Sequence, residues 1–280
     1  MHSISNQLRS AALPALEARL LMMHVLNKTR IQLITQSDYL LTDAELKTYQ
    51  QLVQRRIQGV PIAYLIGQRE FFGLMLHVTP DVLIPRPDTE LLVELALQYA
   101  SPNANLLDMG TGSGAIAVAV AHQRPDLTVW ASDISPAALA VARHNALTHH
   151  CTIQFEESDW YANLPAMQWQ TIVSNPPYIE QRDPHLQQGD LRFEPVDALT
   201  DHADGLTAYR QLIAGARPRL LHDGWLLLEH GFDQAAAVRA LFAAHGFAQI
   251  QSWRDIAGIE RVTGAQLTNS PSKVQVISKS

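Results

Sequence analysis

In the first third of the chain, apolar residues recur at three- and four-residue steps. Leu13, Leu16, Leu20 and Met23 share one face of a helix expected over 9–27. A second helix is expected from Thr42, whose hydroxyl can cap it while Glu45, three residues on, closes a capping box. Leu46, Tyr49, Leu52 and Val53 line its inner face to about Gln58, where Gly59 and Pro61 stop it. Residues 1–63 therefore read as a small all-helical module. Between Tyr64 and Pro87 the spacing changes. Phe71, Phe72, Leu74, Leu76 and Val78 around Gly73 predict a short β-hairpin connector over 64–87, and Pro80, Pro85 and Pro87 break any helix. Thr89 then opens a helix carrying Leu91, Leu92, Leu95 and Leu97.

From Asn105 apolar strands alternate with helices, the pattern of a parallel sheet with right-handed crossovers. Strands are expected at 105–109, 128–132, 152–155, 170–174 and 224–229, with hairpin-like pieces near 247–253 and 259–264. Residues 88–268 make one α/β domain on this reading. The Ser/Lys-rich stretch Asn269–Ser280 is a tail of unassigned order.

Composition narrows the class. Of 280 residues, 47% are hydrophobic and 17% charged. Such a chain can bury a sizeable core, which excludes a disordered or collagen-like polymer. The single cysteine excludes a disulfide scaffold and a cysteine-based zinc site, and fits a reducing compartment. No apolar run approaches the roughly 18–20 residues of a membrane span. The N-terminus lacks a charged region followed by an apolar block, so the cytoplasm is the expected location. Net charge is −6, and unevenly placed: residues 1–70 hold 8 basic and 5 acidic groups, residues 71–280 hold 13 and 22. That asymmetry is either sampling on a small domain or a helical module that faces an acidic partner. No basic run exceeds Arg55-Arg56, so direct contact with nucleic acid is not expected. His149-His150-Cys151, the one histidine cluster, falls at an expected helix end, where imidazoles suit the dipole. It lacks a spaced partner group, so no metal site is expected.

Two motifs carry chemistry. The first is Asp108-Met-Gly110-Thr111-Gly112-Ser113-Gly114, an apolar strand ending in an acid, then a glycine at every second position, then a helix. The glycines let backbone approach a ligand more closely than a Cβ permits, and the helix start presents free N–H groups. Asp133 ends the next strand, where a carboxylate can accept hydrogen bonds from both hydroxyls of a ribose. Together they imply a nucleoside cofactor at the carboxyl edge of the sheet. Plainer readings exist: Asp133 as a helix cap ahead of Ser135-Pro136, and Asp108 as a holder of loop N–H groups.

The second motif is Asn175-Pro176-Pro177-Tyr178, following the strand Thr171-Ile-Val-Ser. Pro176 keeps a carbonyl beside the Asn175 side-chain oxygen, so two acceptors can meet the two N–H donors of a planar amino or amide group. Tyr178 can stack on its flat face. An ordinary turn is the bland alternative.

Taken together these motifs resemble S-adenosylmethionine-dependent methyltransferases that act on an exocyclic or amide nitrogen. Three further features resemble the peptide chain release factor glutamine N5-methyltransferases in particular. They are Gly67-Gln-Arg-Glu-Phe71-Phe72-Gly73 with Leu83-Ile-Pro-Arg86-Pro87-Asp88-Thr89-Glu90; Glu194-Pro-x-x-Ala198-Leu-x-x-x-x-Asp204-Gly205-Leu206; and the preceding helical module. The likeness spans about residues 10–264; the family's last strand ends near Glu260-Arg261-Val262-Thr263, leaving Gly264–Ser280 without a counterpart.

The resemblance implies a Rossmann-like, mostly parallel seven-stranded sheet with helices on both faces. It also implies a monomer that uses S-adenosylmethionine and takes a release factor as protein substrate, gripped by the helices of 1–63. Gly110, Thr111, Gly112, Ser113 and Gly114 would line the methionine part of the cofactor, Asp133 the ribose and Trp160 the adenine, with Asp108 and Asn175 also counted as cofactor-binding. Asn175, Pro176, Pro177 and Tyr178 would hold the glutamine amide of a Gly-Gly-Gln loop, with Arg86 nearby. Arg86, Asp88 and Glu90 lie over the site in roles left open, since capping explains Asp88 and Glu90 locally. The competing readings are a nucleic-acid amino-methyltransferase using the same site, and a binding module that kept the fold.

Overall fold

The computed structural model describes residues 2–268; the tail proposed over 269–280 lies outside the described residues. The helical N-terminus comprises α1 (Ile4–Ser10), α2 (Ala15–Leu26), α3 (Arg30–Thr35), α4 (Asp43–Ile57) and α5 (Ile62–Ile66). Pro14 divides the helix expected over 9–27. Proline lacks the N–H that a continuous helix needs, so α1 closes at Ser10 and α2 starts afresh at Ala15. The buried stripe of α2 is also rotated from the one expected: Ala18, Leu21 and Met22 are buried while Leu16 faces solvent. The box at Thr42 forms, Glu45 N–H donating to Thr42 Oγ1 at 3.3 Å and Thr42 N–H to Glu45 Oε2 at 2.7 Å. Thr29 and Gln32 form a second box on α3, a helix the spacing did not predict.

The hairpin follows as β1 (Gln68–Phe71) and β2 (Leu74–His77), turning through Phe72 and Gly73, both at positive φ. Two carboxylates secure that turn: Glu70 accepts from Gly73 N–H at 2.8 Å and Glu90 from Phe72 N–H at 3.0 Å. Glu90 begins α6 (Glu90–Tyr99), so its role is to bind hairpin to helix.

The remaining elements are β3 (Asn105–Met109), α7 (Ala115–Gln123), β4 (Thr128–Asp133), α8 (Pro136–Thr148), β5 (Ile153–Glu157), β6 (Trp169–Ser174), α9 (Thr207–Ala216), β7 (Leu220–Glu229), α10 (Ala235–Ala244), β8 (Ala248–Arg254) and β9 (Glu260–Gln266). They build a seven-stranded sheet in the order β5-β4-β3-β6-β7-β9-β8, in which β9 runs antiparallel to both neighbours. β9 continues to Gln266, beyond the end near Thr263 that the resemblance implied, because Trp225 still pairs with Gln266. Leu226, Leu227 and Leu228 of β7 are fully buried in succession, as befits a strand covered on both faces. One face packs on α6 and α7, whose residues 115–121 are buried all round; the other packs on α9 and α10 through Tyr209, Leu212, Val238 and Phe242.

The strand order reverses between β3 and β6. In open α/β sheets ligands bind at the carboxyl ends of the strands beside such a switch point.

Candidate active site

Three strand ends converge there. β3 pairs in parallel with β4 and with β6, Met109 lying beside Ser132 on one side and Ser174 on the other. The glycine turn follows β3, Asp133 ends β4 and Asn175 follows β6. They open onto a cleft of about 530 Å³, lined among others by Gly110, Thr111, Gly112, Ser113, Asp133, Trp160, Asn175, Pro177 and Arg86.

Gly114 lies behind this wall, as the residue before α7, at φ +80°. A Cβ there would sit 3.0 Å from that of Ala142, so helix α8 can pack this close only against glycine. Asp108 also lies behind the turn, fully buried, where the expectation had it against the cofactor. Its Oδ2 accepts from Thr111 Oγ1 at 2.6 Å and from Ala117 N–H at 3.2 Å, so it braces the turn and the first turn of α7. Oδ1 has no hydrogen-bond partner, and burial pushes this carboxyl up to about 7, against the pull of those two donors. The plainer reading of Asp108, as a holder of loop donors, is the one its geometry matches.

Asp133 combines two jobs. Oδ2 accepts from Gly112 N–H and Oδ1 from Ser135 N–H, each at 2.9 Å, while the carboxylate still lines the cleft. The cap of α8 itself is Ser135, which accepts from Ala138 N–H at 3.2 Å. Burial raises the Asp133 pKa; the backbone donors of Ser135 and Gly112 oppose it. Trp160, at φ +46°, brings its ring over Gly110 to within 3.8 Å of where a Cβ would stand.

Asn175 leaves β6 into the cleft, with its Nδ2 donating to Thr89 Oγ1 at 3.2 Å. Thr89 is thus committed to Asn175 instead of capping α6, where it makes no cap hydrogen bond. Pro177 lines the cleft; Pro176 and Tyr178 do not. Pro176 is buried at the strand end. Tyr178 is half-buried and packs against the core cluster that includes Tyr209 and Leu212 of α9. Burial, then the nearby Glu229, holds its hydroxyl far above the usual tyrosine range. Gln234 fixes the motif from behind, its Nε2 donating to the carbonyls of Tyr178 at 2.9 Å and Gly205 at 3.1 Å.

Arg86 lines the cleft and pairs with the buried carboxylate of Glu194, which also accepts from Ile84 N–H at 3.0 Å. Asp88 pairs with Arg261 at 3.4 Å. Thr89, Glu194, Asn145 and Gln234 were missed as site residues. Asn145, fully buried in α8, donates to Ser113 O at 2.8 Å and His77 O at 2.9 Å, joining the glycine turn to the hairpin. Glu194 stood inside a segment that carried the resemblance, a signal that identified the stretch without its function. Further carboxylates, Asp81, Asp159, Asp197 and Asp201, also line the cleft. His149, where metal binding was rejected, bonds Met75 O at 2.9 Å. Among the described residues no cluster of three or more candidate ligands could hold a metal ion.

The fold and the cleft define a methyltransferase-type α/β domain. Residues 87–190 match the methyltransferase small domain family, and residues 1–67 match the PrmC N-terminal domain family. A crystal structure of a methyltransferase from Pyrococcus furiosus superposes with a TM-score of 0.55 at 16% identity, covering 76% of this chain and 95% of that one. A 16S rRNA N2 G1207 methyltransferase from T. thermophilus, solved with AdoMet and guanosine, gives 0.52 at 18% identity, covering 71% and 49%. At these identities the likeness is one of fold. Sequence goes further: a release factor glutamine methyltransferase of Burkholderia pseudomallei is 54% identical over 269 residues, 93% of this chain and 94% of its own length. The chain belongs to the release factor glutamine methyltransferase family.

Proposed function

We propose that this chain transfers the methyl group of S-adenosylmethionine to the side-chain amide nitrogen (N5) of the glutamine in the Gly-Gly-Gln loop of a peptide chain release factor. One observation carries this reading beyond family membership. Asn175 stands at a strand tip inside the cleft with its Nδ2 already engaged by Thr89, which leaves Oδ1 for a donor facing it from the cleft. A side-chain oxygen so placed suits an amide N–H.

The chain's residues fit the cofactor this requires. Asp133 offers free lone pairs to the ribose hydroxyls, Gly110 to Gly112 admit close backbone approach, and Trp160 supplies a flat face for the adenine. The acidic lining suits a cationic ligand. Bound there, S-adenosylmethionine supplies an electrophilic sulfonium methyl. The substrate amide would donate one N–H to Asn175 Oδ1 and the other to the carbonyl of Pro176, which is bonded to the nitrogen of the cleft-lining Pro177. Holding both donors aims the nitrogen lone pair along the line of displacement, and such orientation contributes about 7–11 kcal/mol when alignment is good. As positive charge develops on nitrogen the same two oxygens bind it more strongly, which favours the transition state over the ground state. No general base is needed before transfer, because the proton can leave afterwards. Tyr178 adjoins this pair, its carbonyl held by Gln234 Nε2 at 2.9 Å.

In this reading residues 1–63 hold the protein substrate, 64–87 connect, and 88–268 carry the reaction in the cytoplasm, where release factors act. An exocyclic amine of a nucleic acid would fit the same acceptors, but the cleft presents carboxylates where phosphates would need cations. Incubation with methyl-labelled S-adenosylmethionine and a release factor should label one glutamine of its Gly-Gly-Gln loop. A preparation that binds the cofactor and leaves that glutamine unlabelled would overturn the proposal.

A further inference from the structure

Glu229 ends β7, and only 2% of its surface is exposed. Because β6 and β7 are parallel and Ser174 lies beside Leu228, Asn175, the residue after β6, emerges beside Glu229, the last residue of β7. The Tyr209 hydroxyl donates to the Glu229 carbonyl at 2.9 Å and fixes the backbone at this point. Thr89 and Asn175, the pair that forms the 3.2 Å hydrogen bond at the cleft wall, are the side-chain donors that favour the ionised form of Glu229. Its Oε2 is buried and has no hydrogen-bond partner among the described residues.

An asparagine amide is nearly symmetric in shape, so the groups around it decide which end faces the ligand. If Oδ1 is to receive the substrate N–H, Nδ2 must be held by acceptors on the other side. Thr89 Oγ1 is one, and using it as an acceptor obliges the Thr89 hydroxyl proton to go elsewhere. We propose that Glu229 is a positioning residue: its carboxylate takes the Thr89 proton and attracts Asn175 Nδ2, so that Oδ1 is presented to the substrate amide. The proposal rests on the functional reading above and names what makes Asn175 competent in it.

The orientation depends on the charge of Glu229. Ionised, the carboxylate only accepts, and both neighbours must donate to it. Protonated, it becomes a donor and competes for Asn175 Oδ1, the atom the substrate needs. The other groups around it are Asp88, which opposes its ionisation, Arg261, which favours it, and the neutral hydroxyls of Tyr178 and Tyr209. Arg261 is shared with Asp88 and Asp255, so no cation is committed to Glu229 alone. Burial pushes the carboxyl up to about 7, which places the switch in an accessible range.

The test compares wild type with Glu229→Gln, which keeps an acceptor oxygen and loses the titration. In wild type, kcat with a release factor should rise about tenfold from pH 6 to pH 8, following the ionised fraction of a group that titrates at about 7. Glu229→Gln should be flat over that range with cofactor affinity unchanged. Independently of turnover, the side-chain amide signals of 15N-labelled Asn175, assigned by their loss in Asn175→Ala, should shift with pH near 7 in wild type and not in Glu229→Gln. Equal pH slopes in the two proteins, or Asn175 signals that do not respond to pH in wild type, would overturn the proposal. Failure of wild type to methylate would instead overturn the functional reading, and the amide signals would still decide the role of Glu229.

Discussion

The bracing carboxyl of Asp108 should leave a signature in stability. It is fully buried, one oxygen has no partner, and burial lifts it from 3.8 in an unfolded chain to about 7 in the fold. The folded state therefore keeps a proton that the unfolded chain has released between those two values. Stability that is fully present below pH 3.8 is lost as pH rises toward 7, at ~1.4 kcal/mol per pH unit and ~4 kcal/mol in total. Asp108→Asn cannot ionise, and its oxygen can still accept from Thr111 and Ala117. Its stability relative to wild type should rise by about 2 kcal/mol between pH 5 and pH 7, then level off. Urea denaturation of both proteins without cofactor, at pH 5, 6, 7 and 8, measures this directly. Glu229 is raised in the same direction, but it is present in both proteins and cancels from the comparison. A difference that stays constant across the series would mean that Asp108 is ionised throughout, and that the glycine turn is held by a charge.

Substitution separates the two halves of the cleft. Asn175→Ala should lower kcat about 100-fold, the loss typical of one preorganised transition-state hydrogen bond, with the cofactor Kd from calorimetry changed less than about twofold. Asp133→Ala should weaken cofactor binding about 10–100-fold, since a charged acceptor and the anchor of Gly112 N–H are lost together. Reversed phenotypes would refute the assignment of these two residues. Gly114→Ala should cost about 1–3 kcal/mol, because alanine resists φ +80° and its Cβ meets Ala142 at 3.0 Å; an unchanged Tm would contradict that packing argument.

What the sequence disclosed, and what it hid, follows from the range of the interactions. Period-two and period-3.6 patterns are local, so the strands from Asn105 onward and the Thr42–Glu45 box were legible. The helix over 9–27 failed because apolar spacing was weighed above Pro14, whose missing N–H is a local fact that the spacing does not register. Motif residues stood out where backbone geometry demanded them, as at Gly112 and Asp133. Which atoms of Asn175-Pro176-Pro177-Tyr178 face the cleft was not legible. Tyr178 packs against the core beside α9, and nothing within the four residues encodes that neighbour. Asn145, Gln234 and Glu229 were invisible for the same reason, and the role of Glu194 with them: each acts on a partner distant in sequence, as Glu194 does on Arg86 and Ile84.

The same distance-blindness conceals how the helical module is tied to the cleft. Arg56, near the end of α4, grips Glu17 of α2 with two hydrogen bonds of 2.8 and 2.9 Å and reaches Asp190 at 3.0 Å. Two residues on, Arg192 donates to the carbonyl of Gln58 at 3.1 Å, and two further on Glu194 binds Arg86 in the cleft wall. One short run thus contacts the module with its first residues and the cleft with its last. Alternate residues of an extended chain face opposite ways, but 3₁₀ turns at Pro184–Gln187 and Leu191–Phe193 bend this run, so that Asp190, Arg192 and Glu194 each reach a different partner. If residues 1–63 hold the substrate loop as proposed, these contacts tie that grip to Arg86 in the cleft wall. The basic excess of that module and the acidic excess of the remainder meet at this seam, through Arg56 and Asp190, before they meet any partner.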